Sequence, residues 1–162
     1  MKVDVKNEND LVVFLNNKCI ENIDFDDRNN LETYFRSLFL KLKNIYGINI
    51  SGYYNINVYI NKCFGVVLEM FREPLECLDY FNSIDMQVNI IKNSEFLYKI
   101  NDFCDKHKMY FYKNNLYLKI SKEMSFIELG ELLENSVLIY GNMVDEILKY
   151  GKVKQINYVV KW

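Results

Sequence analysis

Residues 53 to 60, YYNINVYI, alternate between apolar and polar side chains, and that period of two leaves few folds open. Successive side chains of an extended chain point to opposite faces. Ile56, Val58 and Ile60 therefore share one face, and Asn55, Asn57 and Tyr59 the other. The next run, FGVVLEMF (64–71), reads as an antiparallel partner. A sheet that is apolar on one side needs a cover, and the chain supplies one just upstream. Leu31, Tyr34, Phe35, Leu38, Phe39, Leu42, Ile45 and Tyr46 recur at the i, i+3, i+4, i+7 spacing of a helix. Asp and Asn residues cluster before it as candidate caps, and Gly47 follows as a stop signal. Its opposite side carries Arg36, Lys41 and Lys43, as a solvated face would.

KVDV and LVVFL (11–15), separated by the turn-rich KNEND, predict an opening hairpin, so residues 1–72 read as β-β-α-β-β. The one proline, Pro74, opens a short connector at 73–86. The second half, 87–162, begins with QVNII as a strand. In SEFLYKINDFC, Phe96, Tyr98 and Ile100 alternate, yet Phe96, Leu97, Ile100, Phe103 and Cys104 fit a helical face better, with Ser94 as the cap. MYFYKNNLYLKI (109–120) reads as two strands on a tight turn, with Tyr110, Tyr112, Tyr117 and Leu118 packing across it. Ser125 and Glu128 have capping-box spacing and predict a helix running to Gly141, with Phe126, Leu129, Leu133 and Val137 on one side. A short helical turn and an alternating run close the chain. The expected class is α+β: two small halves, each a helix or two packed on antiparallel strands.

Chemistry is sparse. The formal net charge is −2, with acids and bases interleaved, which argues against a nucleic-acid footprint. Tyr53, Tyr54, Tyr59 and Phe64 could form a base-stacking platform, but no Lys or Arg interleaves with them, so packing is the stronger expectation. A local basic surface from Arg36, Lys41, Lys43 and Lys62 keeps a small nucleic-acid-binding or mobile-element protein as the alternative. The start, MKVDVKNEND, has no apolar run after its lysine, and no stretch reaches the roughly 18 apolar residues of a membrane span. The expected location is the cytoplasm, with no membrane partner. Cys19, Cys63, Cys77 and Cys104 are spaced too irregularly for a disulfide framework, so they are expected to be reduced, buried, soft hydrophobes. Cys104 and His107 form a C-x-x-H pair, but a zinc site needs two more ligands that only Cys63 and Cys77 could bring. His107, among charges, reads as a solvated loop residue. As a nucleophile and base, Cys104 and His107 lack an orienting third group. Asp24, Asp26 and Asp27 lie where they stabilise the positive end of a helix, and they lack the spacing of a calcium loop. No glycine-rich phosphate loop exists. These residues predict no enzyme, no catalytic residue, no cofactor and no metal; an enzyme using Cys104 or the acidic trio is the remaining exception.

The order of features resembles the MecA family, adaptors that bring substrates to the ClpC unfoldase of low-GC bacteria. LVVFL, then the acidic IDFDDR, the helix LETYFRSLFLKLKNIYGI, SGYYNINVYI and FGVVLEM resemble that family's N-terminal order. YFYKNNLYLKI resembles its aromatic hairpin, and LIYG (138–141) and LKYGKV (148–153) its two Tyr-Gly turns. The chain departs from the family in its linker, which is long and acidic there and about a dozen residues around Pro74 here. The resemblance implies a non-enzymatic adaptor or regulator, whose N-terminal half captures a client protein and whose C-terminal half docks a ClpC-type ATPase. It assigns no contact residues, because the matching positions are turn and core residues. It leaves the oligomeric state open.

Overall fold

The computed structural model describes residues 1–48, 50–73, 84–102, 107–120 and 124–154. The fold is α+β, and the chain divides into two compact units, Met1–Asn93 and Ser94–Trp162.

The first unit is a five-stranded sheet. Its strands are β1 (Lys2–Val5), β2 (Asp10–Leu15), β3 (Gly52–Asn61), β4 (Gly65–Arg72) and β5 (Ile84–Ile91), in the order β1-β2-β4-β3-β5. A one-turn helix, α1 (Asn17–Ile20), and a long helix, α2 (Arg28–Tyr46), follow β2. The periodicity predicted α2, and its ends explain its length. Asp27 caps the start by accepting from the backbone N–H groups of Asn29 and Asn30. Gly47 closes the end at φ 67°, and Gly47 and Ile48 donate to the carbonyls of Lys43 and Leu42. Leu31, Phe35, Leu38, Phe39 and Leu42 are buried against Leu11, Val13, Tyr54, Ile56, Val58, Leu68 and Met70 of the sheet. Each such apolar side chain contributes about 1.5–3 kcal/mol by leaving water. β3 alternates as its sequence demands, every even position buried. Its hairpin with β4 turns back onto the end of β2 so closely that only a glycine fits at Gly65. Gly65 has φ 126°, and a Cβ there would lie 2.1 Å from the carbonyl oxygen of Leu15.

The QVNII strand lies in this first sheet, as part of β5, rather than opening the second half. β5 runs parallel to β3, with Gly52 opposite Ile84 and Tyr59 opposite Ile91. The two can be parallel because β4 lies between them in the sequence and returns the chain to the end where both begin, with Arg72 opposite Tyr54 and Ile84 opposite Gly52. The division therefore falls after Asn93, whereas the expected connector was 73–86. Pro74 lies outside the described residues.

The second unit is another five-stranded sheet with two helices. Its strands β6 (Leu97–Ile100), β7 (Lys108–Tyr112), β8 (Asn115–Lys119), β9 (Val137–Ile139) and β10 (Lys152–Lys154) lie in the order β10-β7-β8-β6-β9, all antiparallel. The helices are α3 (Phe126–Asn135) and α4 (Asn142–Tyr150). The expected hairpin is β7–β8. Its two turn residues, Lys113 (φ 45°) and Asn114 (φ 61°), are both left-handed, the I′ geometry whose twist matches the strands. α4 covers one face of the sheet, where Val144 and Ile147 pack on Leu97, Tyr110 and Tyr117.

Two expectations fail here. SEFLYKINDFC contains a strand, β6, and not a helix capped by Ser94. Leu97 and Tyr98 point to opposite faces and are both fully buried. A strand buried on both sides loses its alternation, and its apolar run then mimics a helical face. Phe103 and Cys104 lie outside the described residues. The helix expected from Ser125 to Gly141 has its capping box, but it ends at Asn135. Val137, Leu138 and Ile139 instead form β9 beside β6, leaving Val137 mostly exposed.

Candidate protein-binding surface

The β7–β8 hairpin is tied to the last helix at its tip. Glu146, on α4, accepts hydrogen bonds from the Tyr112 hydroxyl and from Lys113 Nζ, the latter at 3.0 Å. These donors act on the carboxylate in the same sense. The Tyr112 hydroxyl first, then Lys113, hold the Glu146 carboxyl below its usual range. Tyr112 and then Glu146 hold the Lys113 ammonium above its own. Lys113 and Glu146 sit at the surface, so the ion pair fixes geometry more than it stabilises the fold.

Around this tie, lysines lie over aromatic rings. Lys113 Nζ is 4.9 Å from the Tyr112 ring centre, Lys108 5.3 Å from that of Tyr110, Lys149 5.1 Å from that of Tyr150, and Lys154 5.9 Å from that of Phe111. Of these rings Tyr110 is buried in the core and Tyr112 is half-buried, whereas Phe111 and Tyr150 reach the surface. Tyr150 is 63 % exposed, and Phe111, Met143 and Val153 are also exposed. Three register positions bring these groups to one edge of the sheet. Phe111 is opposite Lys152, Tyr110 opposite Val153 and Met109 opposite Lys154. Large rings with few rotatable bonds, flanked by cations, can anchor a partner that brings apolar contacts and acids.

The other candidates are dispersed. Cys19, in α1, and Cys63, in the β3–β4 turn, are both exposed free thiols, against the expectation of buried ones. Cys19 lies on a one-turn helix that buries none of its residues and Cys63 on a surface turn, so neither has a core to enter. Cys77 and Cys104 lie outside the described residues. His107, just before β7, is half-buried rather than solvated, and its Nδ1 has no hydrogen-bond partner among the described residues. Among the described residues no three His, Cys, Asp or Glu side chains come together as a metal group would. The acidic trio splits into three separate roles. Asp27 caps α2, Asp24 accepts from the Asp26 backbone N–H, and Asp26 pairs with Lys92 at 2.5 Å.

Of the basic residues, Arg36 is paired with Glu32 at 2.7 Å, and Lys41 and Lys43 are exposed on α2. Lys62 lines a separate cleft beside Lys92. The aromatic platform does not form. Tyr54 is buried, its ring centre 6.4 Å from that of Phe39, while Tyr53 and Tyr59 lie on the opposite face and bond to Gln87 and Glu69.

That opposite face carries a polar ladder that sequence reasoning missed. Asn89 donates to Asn57, and Asn57 and Tyr59 both donate to Glu69. The signal was present in IDMQVNI, where Asp85, Gln87 and Asn89 alternate with Met86, Val88 and Ile90 as the polar residues of β3 do. No helix among the described residues is long and apolar enough to cross a membrane. No family model, curated protein or solved structure matches the chain.

Proposed function

We propose that the chain is a non-enzymatic adaptor or regulatory protein that binds another protein through the β7–β10 edge and α4 of its second unit. One observation carries this: lysine-flanked aromatic rings, together with Met143 and Val153, stand exposed along one sheet edge and the adjoining helix. An exposed ring supplies much contact area at little ordering cost, which is why aromatic residues concentrate at interfaces. The lysines favour an acidic partner surface. A Clp-type ATPase is the partner that the MecA-like order of features implies, and client proteins would be the cargo.

Affinity purification of the full chain from its host, compared with the Tyr150→Glu/Phe111→Glu double variant, tests the proposal. Both side chains are exposed, so the variant should keep its melting temperature while losing a protein that co-elutes with the wild type. A ClpC-type ATPase in that fraction, with ATP turnover raised by the wild type only, would support the adaptor role. Equal recovery of every co-eluting protein by both forms would refute it.

Lysines interleaved with rings also suit single-stranded nucleic acid. Retention on such a column, lost steeply as salt rises, would favour that second function.

A further inference from the structure

Every charged residue of α3 is an acid: Glu128, Glu131 and Glu134 stand among its ten residues with no Lys or Arg. Glu128 closes the capping box at its start. The helical period puts Leu129 and Leu133 on the buried side. Ile127, Glu131 and Glu134, at i, i+4 and i+7, form a stripe on the side turned away from them. Ile127 is 76 % exposed, more than any other large apolar side chain among the described residues. Glu131 and Glu134 are exposed, and among the described residues neither carboxylate has an ion-pair partner.

The other edge of the same sheet has the complementary chemistry. Lys108, Lys113, Lys149, Lys152 and Lys154 stand there against Asp145 and Glu146, and Lys113 already holds Glu146. Exposed apolar area from Phe111, Tyr150 and Val153 lies between the lysines. An isoleucine flanked by two acids finds both of its needs met on such a surface, apolar contact and cations. Within one copy the two surfaces are kept apart. α3 packs on β6, and β8 and β7 stand between β6 and β10. Three strand spacings make that separation about 14 Å, and the stripe faces away from the buried side of its helix.

We propose that the outward stripe of α3 in one copy docks on the β7–β10 edge and α4 of a second copy, with Ile127 against the exposed apolar groups and Glu131 and Glu134 facing the lysines. This rests on the edge being the docking surface described above, and it adds a regulation. The two surfaces differ, so copies join either as a pair that exchanges α3 or as a head-to-tail series. An edge that holds a second copy is closed to other partners, so partner binding falls as the concentration of the chain rises.

Sedimentation equilibrium of the purified full chain tests this with no other protein present. The average mass should rise above that of one chain with concentration and fall back as salt rises. Glu131→Lys/Glu134→Lys and Lys149→Glu/Lys152→Glu, all at exposed positions, should each weaken association roughly tenfold or more at an unchanged melting temperature. Mixed one to one, the two variants should associate again, because the native edge of the first meets the native α3 of the second. Ile127→Ser, which leaves every charge in place, should weaken association as well. A mass of one chain at every concentration, association untouched by either charge reversal, or no recovery in the mixture would overturn the proposal. Glu131→Lys/Glu134→Lys leaves the docking edge intact, so its capture of a protein partner reports on the function proposed above and its mass on self-association alone. A constant mass in the wild type with partner capture retained would sink this inference and leave that function standing.

Discussion

Single residues hold this fold at points where chemistry leaves no substitute. Gly65 is one, because its φ of 126° and the 2.1 Å approach of a Cβ to the Leu15 carbonyl exclude any side chain. Gly65→Ala should therefore destabilise the first unit by about 1–3 kcal/mol, read as a lower urea midpoint at unchanged slope. Glu146 makes a second prediction, for acid. Its folded pKa is depressed by Tyr112 and Lys113, so the tie is intact above the unfolded carboxylate pKa and is lost as pH falls through the folded one. The Glu146 side-chain carboxyl, followed by NMR, should titrate below the usual glutamate range. Tyr112→Phe, which removes the largest cause, should return it most of the way. A Glu146 pKa unmoved by Tyr112→Phe would show that the hydroxyl does not hold the carboxylate. The cysteines teach the limit of residue-scale inference. A small apolar side chain is most often buried, yet Cys19 falls on an exposed one-turn helix and Cys63 on a turn, and residue type alone carries no information about where such surface segments will be.

At the scale of elements, legibility followed the range of the signal. α2 was legible because its period, its Asp27 cap and its Gly47 stop are all local, and the three expected hairpins were legible for the same reason. β6 was misread because burial on two faces erased its period. β9 was misread because its strand character comes from the neighbouring edge of β6, which the local sequence does not contain. β5 was recognised as a strand, but its partner is β3, a parallel pairing that skips over β4 and that no local pattern encodes. The exposed lysine and ring pairs were foreseen only as a hairpin with aromatic sides, since the register that sets Phe111 beside Lys152 comes from β10. The central prediction at this scale concerns α2. Phe35 is 1 % exposed and stacks on Phe39 with ring centres 6.4 Å apart. Phe35→Asp or Leu38→Asp buries an unpaired charge at a cost of several kcal/mol and should unfold the first unit. A wild-type melting curve for either variant would contradict the helix's place in the core.

At the scale of the whole molecule, the described residues build one core around α2 and another around α4, each from residues of its own unit. Residues 1–93 expressed alone should therefore unfold cooperatively and retain the far-ultraviolet signature of helix and strand. A fragment without a cooperative transition would show that the first core is incomplete without the rest of the chain. The boundary after Asn93 was not legible, because composition does not change there and the pairing of β5 with a strand that is not its neighbour in sequence hides which sheet claims it. The parallel pairing of β3 with β5 also has a kinetic consequence. During synthesis the β3–β4 hairpin leaves the ribosome ready to close on β2, while the outer edge of β3 waits for a strand not yet made. Until the chain has been extended past Ile91, the nascent first unit ends in an open edge formed by its longest strand. That interval, rather than the finished protein, is when the chain is most exposed to pairing with the wrong neighbour, and slower translation between β4 and β5 would lengthen it.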